Sequence, residues 1–491
     1  MSIRIYPTIA LAQGNAARTA AAPLVWDPVN HLLSRCAFGP TTASRASLAQ
    51  TGPDAWYAAQ VAAGRRCQGY SGNPAVAAQG PLLSLSPFDL RATLAANGNP
   101  YGSDAMDQLS QVTMGLQAWS EAQLYEVLVD FFSNHLNVPN HNGDLWTTRH
   151  THDRDVIRPY VLGSFTDMLL ASAKNPAMLL SLNLAQSTKL AVNENYGREL
   201  MEMHTVGRIY SENDVKNAAK LLTGRTLDAN NHYVYNPDIH GTGKVTVLGF
   251  TNANTTAAGG EKAGDALLRY LAGHSATAKH LAQKLCVRLV SDTPSADLVA
   301  AVAAAYTASG TQILPMLSTI LRSTEFWESR GKKVRRPAEN VMATIRLLDI
   351  TPNDMTKALG TLNWVTYQMG NRPLDWPAPN GYPDDANSWR SSGTILQLWS
   401  MHQAMTGAWW AGFPAPSTAS LYGGATPTSS GEAISLMTKR LTGMSWSAAH
   451  LAALQTYLGE PAGTSMDRSV LRWLAGTLAA LILNAPHHAF R

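Results

Sequence analysis

Four of the fourteen histidines fall within eighteen residues, at His135, His141, His150 and His152. The first closes the run Phe131-Phe-Ser-Asn-His135, and the last two open His150-Thr-His-Asp-Arg-Asp155. Imidazole is the commonest metal-binding side chain and the one that titrates near neutral pH without perturbation. A loop leaving one helix and entering the next could fold several rings onto one ion. No H-E-x-x-H is present, so no standard metal motif is matched. A second polar concentration is Asn193-Glu-Asn-Tyr-Gly-Arg-Glu-Leu-Met-Glu-Met-His-Thr-Val-Gly207. On a helix, Glu194–Arg198 and Arg198–Glu202 are i, i+4 pairs, and Glu199 and Glu202 are i, i+3 neighbours. His204 follows, just before a glycine that ends the helix. Such a face serves either as an ion-pair network or as carboxylates placed for metal binding or acid–base work. A di-iron bundle would need Glu-x-x-His on two helices, and it is absent.

Weaker candidates follow the same chemistry. Asp155 stands near a helix start, where a carboxylate also acts as a cap; Arg158 lies one turn on, before Pro159. Asn236-Pro-Asp-Ile-His240 could bring Asp238 and His240 toward a pocket, or simply form a turn. The segment 368–391 holds four prolines with Trp376, Tyr382 and Trp389 among Asn and Asp residues. That mixture suits sugar rings, and equally suits a rigid loop that tucks its tryptophans inward. No G-x-S-x-G elbow, Walker A loop or G-x-G-x-x-G after a strand occurs. The cluster Lys332-Lys-Val-Arg-Arg336 reads as a solvated turn.

The chain that must position these residues is 491 residues long, 45% hydrophobic and only 15% charged, with a net charge of +4. That charge is too small over this length to imply nucleic acid. Three cysteines, Cys36, Cys67 and Cys286, exclude a disulfide framework. No run reaches the roughly 18 apolar residues of a membrane span. The N-terminus makes a poor export signal, which favours a cytoplasmic chain unless a leader has been removed.

Helical periodicity dominates. It predicts helices over 27–37, 53–64, 188–206, 212–223, 259–285, 295–308, 312–326, 336–349, 392–410, 432–441, 446–458 and 467–484. Two helices meeting near Ser120-Glu121 are predicted over 103–134, and another over 155–173. Strand signals at 232–235 and 244–250 predict one β-hairpin about a turn at 241–243. The fold class is therefore mainly α: a multi-helix, bundle-like single large domain with a small hairpin and long irregular loops. The chain divides into an arm at 1–25, a main helical domain at 26–410, a Gly/Pro/Ser/Thr-rich loop at 411–431, and C-terminal helices at 432–491 that pack on the main domain.

Taken in order, these segments resemble the bacterial DUF1800 family, a domain of unknown function. Trp26-Asp-Pro-Val-Asn-His-Leu-Leu-Ser-Arg-Cys-Ala-Phe-Gly-Pro40 looks like the family's opening H-L-L-x-R-x-x-F-G-P. The match continues through Phe131–His135, Asp153–Phe165, Asn175–Met178 and, most specifically, Asn193–Gly207 running into Leu222-Thr-Gly224. His274–Leu289, Ser323–Trp327 and Trp376–Trp389 complete it. Ser133 stands where the family usually shows a second histidine. The resemblance implies a mainly helical fold and, the family having no agreed activity, no catalytic assignments.

The leading expectation is an enzyme with a polar cavity between helices, lined by Asn134, His135, Asp155, Arg158, Asn193, Glu194, Arg198, Glu199, Glu202 and His204. His135 and His204 would bind a transition metal ion of unknown identity, with Glu199 or Glu202 as ligand or base, in hydrolysis or metal-centred oxidation. The competing expectation is a non-catalytic scaffold presenting segment 368–391 to a glycan or partner. Neither involves nucleic acid or a transmembrane segment, and oligomeric state is undetermined.

Overall fold

The structure is a computed structural model that describes residues 27–140, 142–465 and 468–491, without the side chains of Asp144 and 468–474. The predicted arm at 1–25 and His141 lie outside these residues.

The chain is mainly α-helical, as its periodicity predicts. Side-chain caps fix many helix starts. Ser211 forms a capping box with Asp214 at Glu212–Leu222, and Thr41 forms one with Ser44 at Thr42–Arg66. Ser295, Asp354 and Ser391 accept from the first-turn amides of Ala296–Ala308, Met355–Gln368 and Ser392–Thr406. The predicted pair over 103–134 forms as Asp104–Trp119 and Gln123–His135. The predicted helix at 259–285 is two, Gly260–Gly273 and Ser275–Leu289, broken at the extended His274. Met355–Gln368 and Pro87–Ala96 are helices that the periodicity does not predict.

The single predicted hairpin is corrected to two. Arg225–Leu227 pairs antiparallel with Tyr233–Tyr235, and Val245–Val247 with Phe250–Asn252. The reason is local. Leu248 and Gly249 both take positive φ, 49° and 89°, the conformation of a two-residue hairpin turn. The Asp228 carboxylate accepts from the amides of Asn230 and His232 to close the other.

Two short, wide helical turns break the regular α winding. Asp153–Ile157 and Leu200–His204 both wind with the i→i+5 pattern, which recurs at functional sites. Pro159, lacking an amide, disrupts regular α bonding just after the first. The buried His152 immediately precedes the first, and the buried His204 ends the second.

The C-terminal residues return to the body. Arg491 and Lys333 exchange backbone hydrogen bonds at 2.8 and 3.4 Å, and Val334 bridges Phe490. The three cysteines are buried and free. Among the described residues no helix is long and apolar enough to cross a membrane.

Candidate functional site

The Gln123–His135 helix carries Asp130, Asn134 and His135 at its C-terminal end. The Ser275–Leu289 helix presents Lys284 and Arg288, one turn apart, opposite them. Arg336, just before the Pro337–Leu347 helix, supplies the floor, and loop 380–384 supplies the remaining wall. Together they enclose a pocket of about 250 Å³.

Glycine decides how that loop seats. Gly381 has φ +68°, and a Cβ there would collide with the backbone carbonyl of Asn134. Next to it, the Tyr382 amide donates to Asn134 Oδ1 at 3.1 Å. The side chain of Asn137 donates to the carbonyls of Trp376 and Ala378 at 2.9 and 2.7 Å. The segment's aromatic tips are all tied within it: Trp376 Nε1 to Asn380, Trp389 Nε1 to the Pro383 carbonyl, and the Tyr382 hydroxyl to the Arg372 carbonyl. The three rings lie against one another at centroid separations of 5.1 and 5.9 Å. Segment 368–391 is a braced wall. Gly381→Ala is expected to destabilise the protein by about 2 kcal/mol, from the positive φ and the collision. Faster amide exchange over residues 376–389 in this variant would locate the damage at the wall.

Beneath the pocket lies a buried ionic lattice. Arg336 donates to Asp130 and, at 3.0 Å, to Glu339. Arg288 contacts Asp130 at 3.3 Å, Glu339, and Asp384 at 3.9 Å. Lys333 pairs with Asp292 at 2.6 Å and Asp384 at 3.5 Å, and Arg491 approaches Glu339 at 3.5 Å. Burial alone would raise the carboxyl pKa values, but the guanidinium groups around Glu339 hold it well below the ordinary range and pull Asp384 down as well. The basic cluster 332–336 is thereby corrected. It is no solvated turn, because Lys333, Arg335 and Arg336 are buried. Asp130, Asp292 and Asp384 from distant segments converge on the lattice, joined by Glu339, three residues from Arg336.

Lys284 stands apart from this pairing. Asp384 is already engaged by Lys333 and Arg288, and no ion pair to Lys284 forms among the described residues. Burial pushes its amine down to about 8, opposed by the field of Asp384.

At the inner end of the pocket, histidines grip the wide turn Leu200–His204. His135 Nε2 donates to the His204 carbonyl at 3.0 Å, and His280 Nδ1 to the Thr205 carbonyl at 2.8 Å. These are carbonyls a helix end leaves without partners. The ring centroid of His135 lies 6.5 Å from that of His204 and 6.0 Å from that of His280. His135 is packed among Phe131, Phe132 and Phe165. Burial pushes His204 down to about 3, with Lys284 and His280 acting in the same direction, and His135 falls well below its ordinary value for the same causes. Both nitrogens of His204, and Nδ1 of His135, are buried without a hydrogen-bond partner.

The residues predicted from sequence to share one hollow thus fall into separate groups. Asn134 and His135 line the pocket, and His204 lies behind His135. Arg158 is buried between Asp153 and Glu126. Asp155 forms an exposed pair with Arg154 at 2.6 Å. Arg198 forks onto Glu212 with two contacts of 2.7 Å and reaches Glu194 at 3.6 Å. Glu202 is held low by the Tyr210 hydroxyl and by Arg208. Glu199, between them, is raised by burial and by Glu202, and its Oε2 is buried without a partner. The Asn193 side chain caps the Asn195 amide at 2.9 Å. His240 turns Nδ1 to the Thr223 carbonyl at 2.8 Å and Nε2 to Asn254 Oδ1 at 2.9 Å. Among the described residues, no three His, Cys, Asp or Glu side chains are grouped so as to hold one ion.

Sequence reasoning missed Lys284, Arg288, Asp130, Glu339, Asp384 and His280. One signal was available: Lys284 and Arg288 sit four apart on a helix whose other buried positions, Thr277 apart, are apolar, so both cations border the core.

No curated protein and no solved structure matches the chain. A family model described as a protein of unknown function, DUF1800, matches residues 31–490. With nearly its whole length covered and the helical fold in place, the chain belongs to the DUF1800 family.

Proposed function

We propose that the protein is an enzyme and that the pocket between Gln123–His135, Ser275–Leu289 and loop 380–384 is its active site. The observation that carries this reading is Lys284: an unpaired amine at a pocket wall, beside a lattice in which the other cations are matched by carboxylates. An amine near pKa 8 exchanges protons readily close to neutral pH, and burial that depresses a lysine is a recurrent feature of catalytic sites. Its positive charge favours a small molecule carrying a carboxylate or a polarised carbonyl. Asn134 and Tyr382 stand on the pocket wall as polar neighbours for such a ligand. Acid–base chemistry of the hydrolytic kind is the class these groups support, with Lys284 taking or giving the proton.

Reductive methylation with formaldehyde and cyanoborohydride at pH 7.5 tests this. At that pH about a quarter of an amine of pKa 8 is free base, against on the order of 0.1% for an ordinary lysine. Peptide mass spectrometry is expected to find Lys284 modified ahead of the exposed Lys189 and Lys279. Small carboxylates that fill the pocket should protect it. Labelling of Lys284 slower than that of surface lysines would overturn the reading.

A second reading, metal-dependent chemistry, is favoured by the unpartnered nitrogens of His204 and His135 Nδ1. Two imidazoles supply two of the three protein ligands that a catalytic zinc ordinarily takes. Elemental analysis of untagged protein decides it: near-stoichiometric transition metal that His204→Ala removes supports the metal, and none found leaves the lysine reading alone.

A further inference from the structure

A second cleft, of about 690 Å³, shares no lining residue with the pocket. It lies between the turn 188–191, the Glu212–Leu222 helix and the loop 240–243. Backbone hydrogen bonds fix these walls. Thr188 and Ala191 exchange amide-to-carbonyl bonds of 3.1 Å, and the Lys189 amide donates to the Ile239 carbonyl at 2.8 Å. The Gly241 amide donates to Thr223 Oγ1 at 2.8 Å, just past the helix end, and the Gly243 amide to the Asn254 carbonyl at 2.8 Å. His240 stands on the wall, but Thr223 and Asn254 engage both its ring nitrogens, so it shapes the cleft and leaves binding to other groups.

The cleft gathers cations. Lys189 comes from the turn, and Lys216 and Lys220, four apart, from one side of the helix. None of the three pairs with a carboxylate among the described residues. The one carboxylate on the lining, Glu194, lies 3.6 Å from Arg198 instead. Glu212, one turn before Lys216, is forked by the same arginine.

Lys220 is half-buried and held by the loop above it. A Cβ on Gly241 would stand 3.3 Å from Lys220 Cγ, and one on Gly243, where φ is +99°, 3.0 Å from its Nζ. The two glycines thus let the loop lie along the lysine and seat its ammonium at the loop's edge. That ammonium has no acceptor among the described residues, and the neighbouring Thr242 amide has none either. Three like charges converge here without an internal partner, in a cleft of the size that takes a small ligand. A single carboxylate would leave two of them unmatched. Lysine ammoniums are compact point charges that bind phosphate, and two linked phosphates reach more than one of them.

We propose that this cleft binds the diphosphate group of a small molecule, held by Lys189, Lys216 and Lys220. The inference is independent of the pocket reading.

Isothermal titration of the full chain at near-physiological salt tests it, with inorganic pyrophosphate and adenosine diphosphate as separate ligands. The two arms distinguish the free anion from an organic diphosphate. Binding of at least one is expected, and weaker binding of orthophosphate. Lys220→Gln is expected to lower the affinity about tenfold, the worth of one charge-assisted hydrogen bond. Lys216→Gln should do the same, and because Lys216 is exposed its melting temperature should not change. Lys279→Gln, an exposed lysine outside the cleft, should bind as wild type does. Failure of both diphosphates to bind, unchanged affinity in both cleft variants, or an equal loss in Lys279→Gln would overturn the proposal. So would an oligonucleotide that binds more tightly than either diphosphate, which would assign the lysines to a polymer backbone.

Discussion

Acidification from pH 7 is expected to unfold the protein in one steep transition centred near pH 5.5, with uptake of about seven protons. The groups responsible are His31, His135, His150, His152, His204, His402 and His488, each enclosed almost completely. Burial is the leading cause that lowers each of them, His150 and His402 to about 4 and His204 to about 3. The others fall well below the ordinary value. Well above pH 6.5 folded and unfolded chains both carry these rings neutral, so they contribute no pH dependence. Below it, the unfolded chain takes protons that the folded chain refuses, and stability falls as pH falls until the folded values are reached. Each ring contributes about 1.4 kcal/mol per pH unit once the unfolded form is protonated. At pH 5.5 the seven together amount to about 10 kcal/mol, comparable with the whole stability of an ordinary fold. Far-UV circular dichroism against pH gives the midpoint and steepness, and the denaturation free energy measured at several pH values gives the proton count. His31→Gln should lower that count by one. A shallow transition, or one confined below pH 4, would show the rings to be hydrated and the prediction wrong.

These enclosed histidines also show what a sequence can reveal and where it falls silent. His135 and His204 stood out by type and position, and the fold does bring their rings within 6.5 Å although 69 residues separate them. What could not be read was why. His135 and His280 satisfy the carbonyls ending a wide turn, and nothing local marks such a partner. Most helix starts were legible because a cap and an apolar stripe are both local signals, as at Ser211 and Ser295. Met355–Gln368 escaped because Trp364 and Tyr367 sit on its outer side, so its large residues do not form one stripe. The two hairpins were merged because a two-residue turn at Leu248-Gly249 is less conspicuous than the glycine-rich stretch before it. The basic cluster 332–336 was misread for a deeper reason. Of its partners only Glu339 is local, and Asp130, Asp292 and Asp384 come from three distant stretches, so in the sequence it looks like a solvated patch. Pairing across the fold, and the odd cation Lys284 that pairing leaves over, become visible only when the segments are assembled.

Arg158→Leu is expected to cost about 3–5 kcal/mol of stability, the range for removing one partner of a buried ion pair. The guanidinium is fully enclosed and donates to Asp153 at 2.7 Å, to both oxygens of Glu126 at 3.1 and 3.2 Å, and to the Gly69 carbonyl at 3.0 Å. It also lies 4.8 Å over the Tyr70 ring. Its charge thus holds two buried carboxylates, and leucine would strand both. Burial already pushes Glu126 upward, with Arg158 as the main opposing influence. In the variant Glu126 should take a proton at mildly acidic pH, so the gap from wild type should be wider at pH 8 than at pH 6.5. Arg158→Lys should fall between the two, because an ammonium cannot fork onto a carboxylate. The decisive arm is the triple variant Arg158→Leu, Glu126→Gln, Asp153→Asn: with the stranded charges removed, it should recover much of the loss. Urea denaturation of the four proteins measures this directly. If Arg158 served catalysis instead, its replacement would leave stability nearly untouched, and neutralising the two carboxylates would recover nothing.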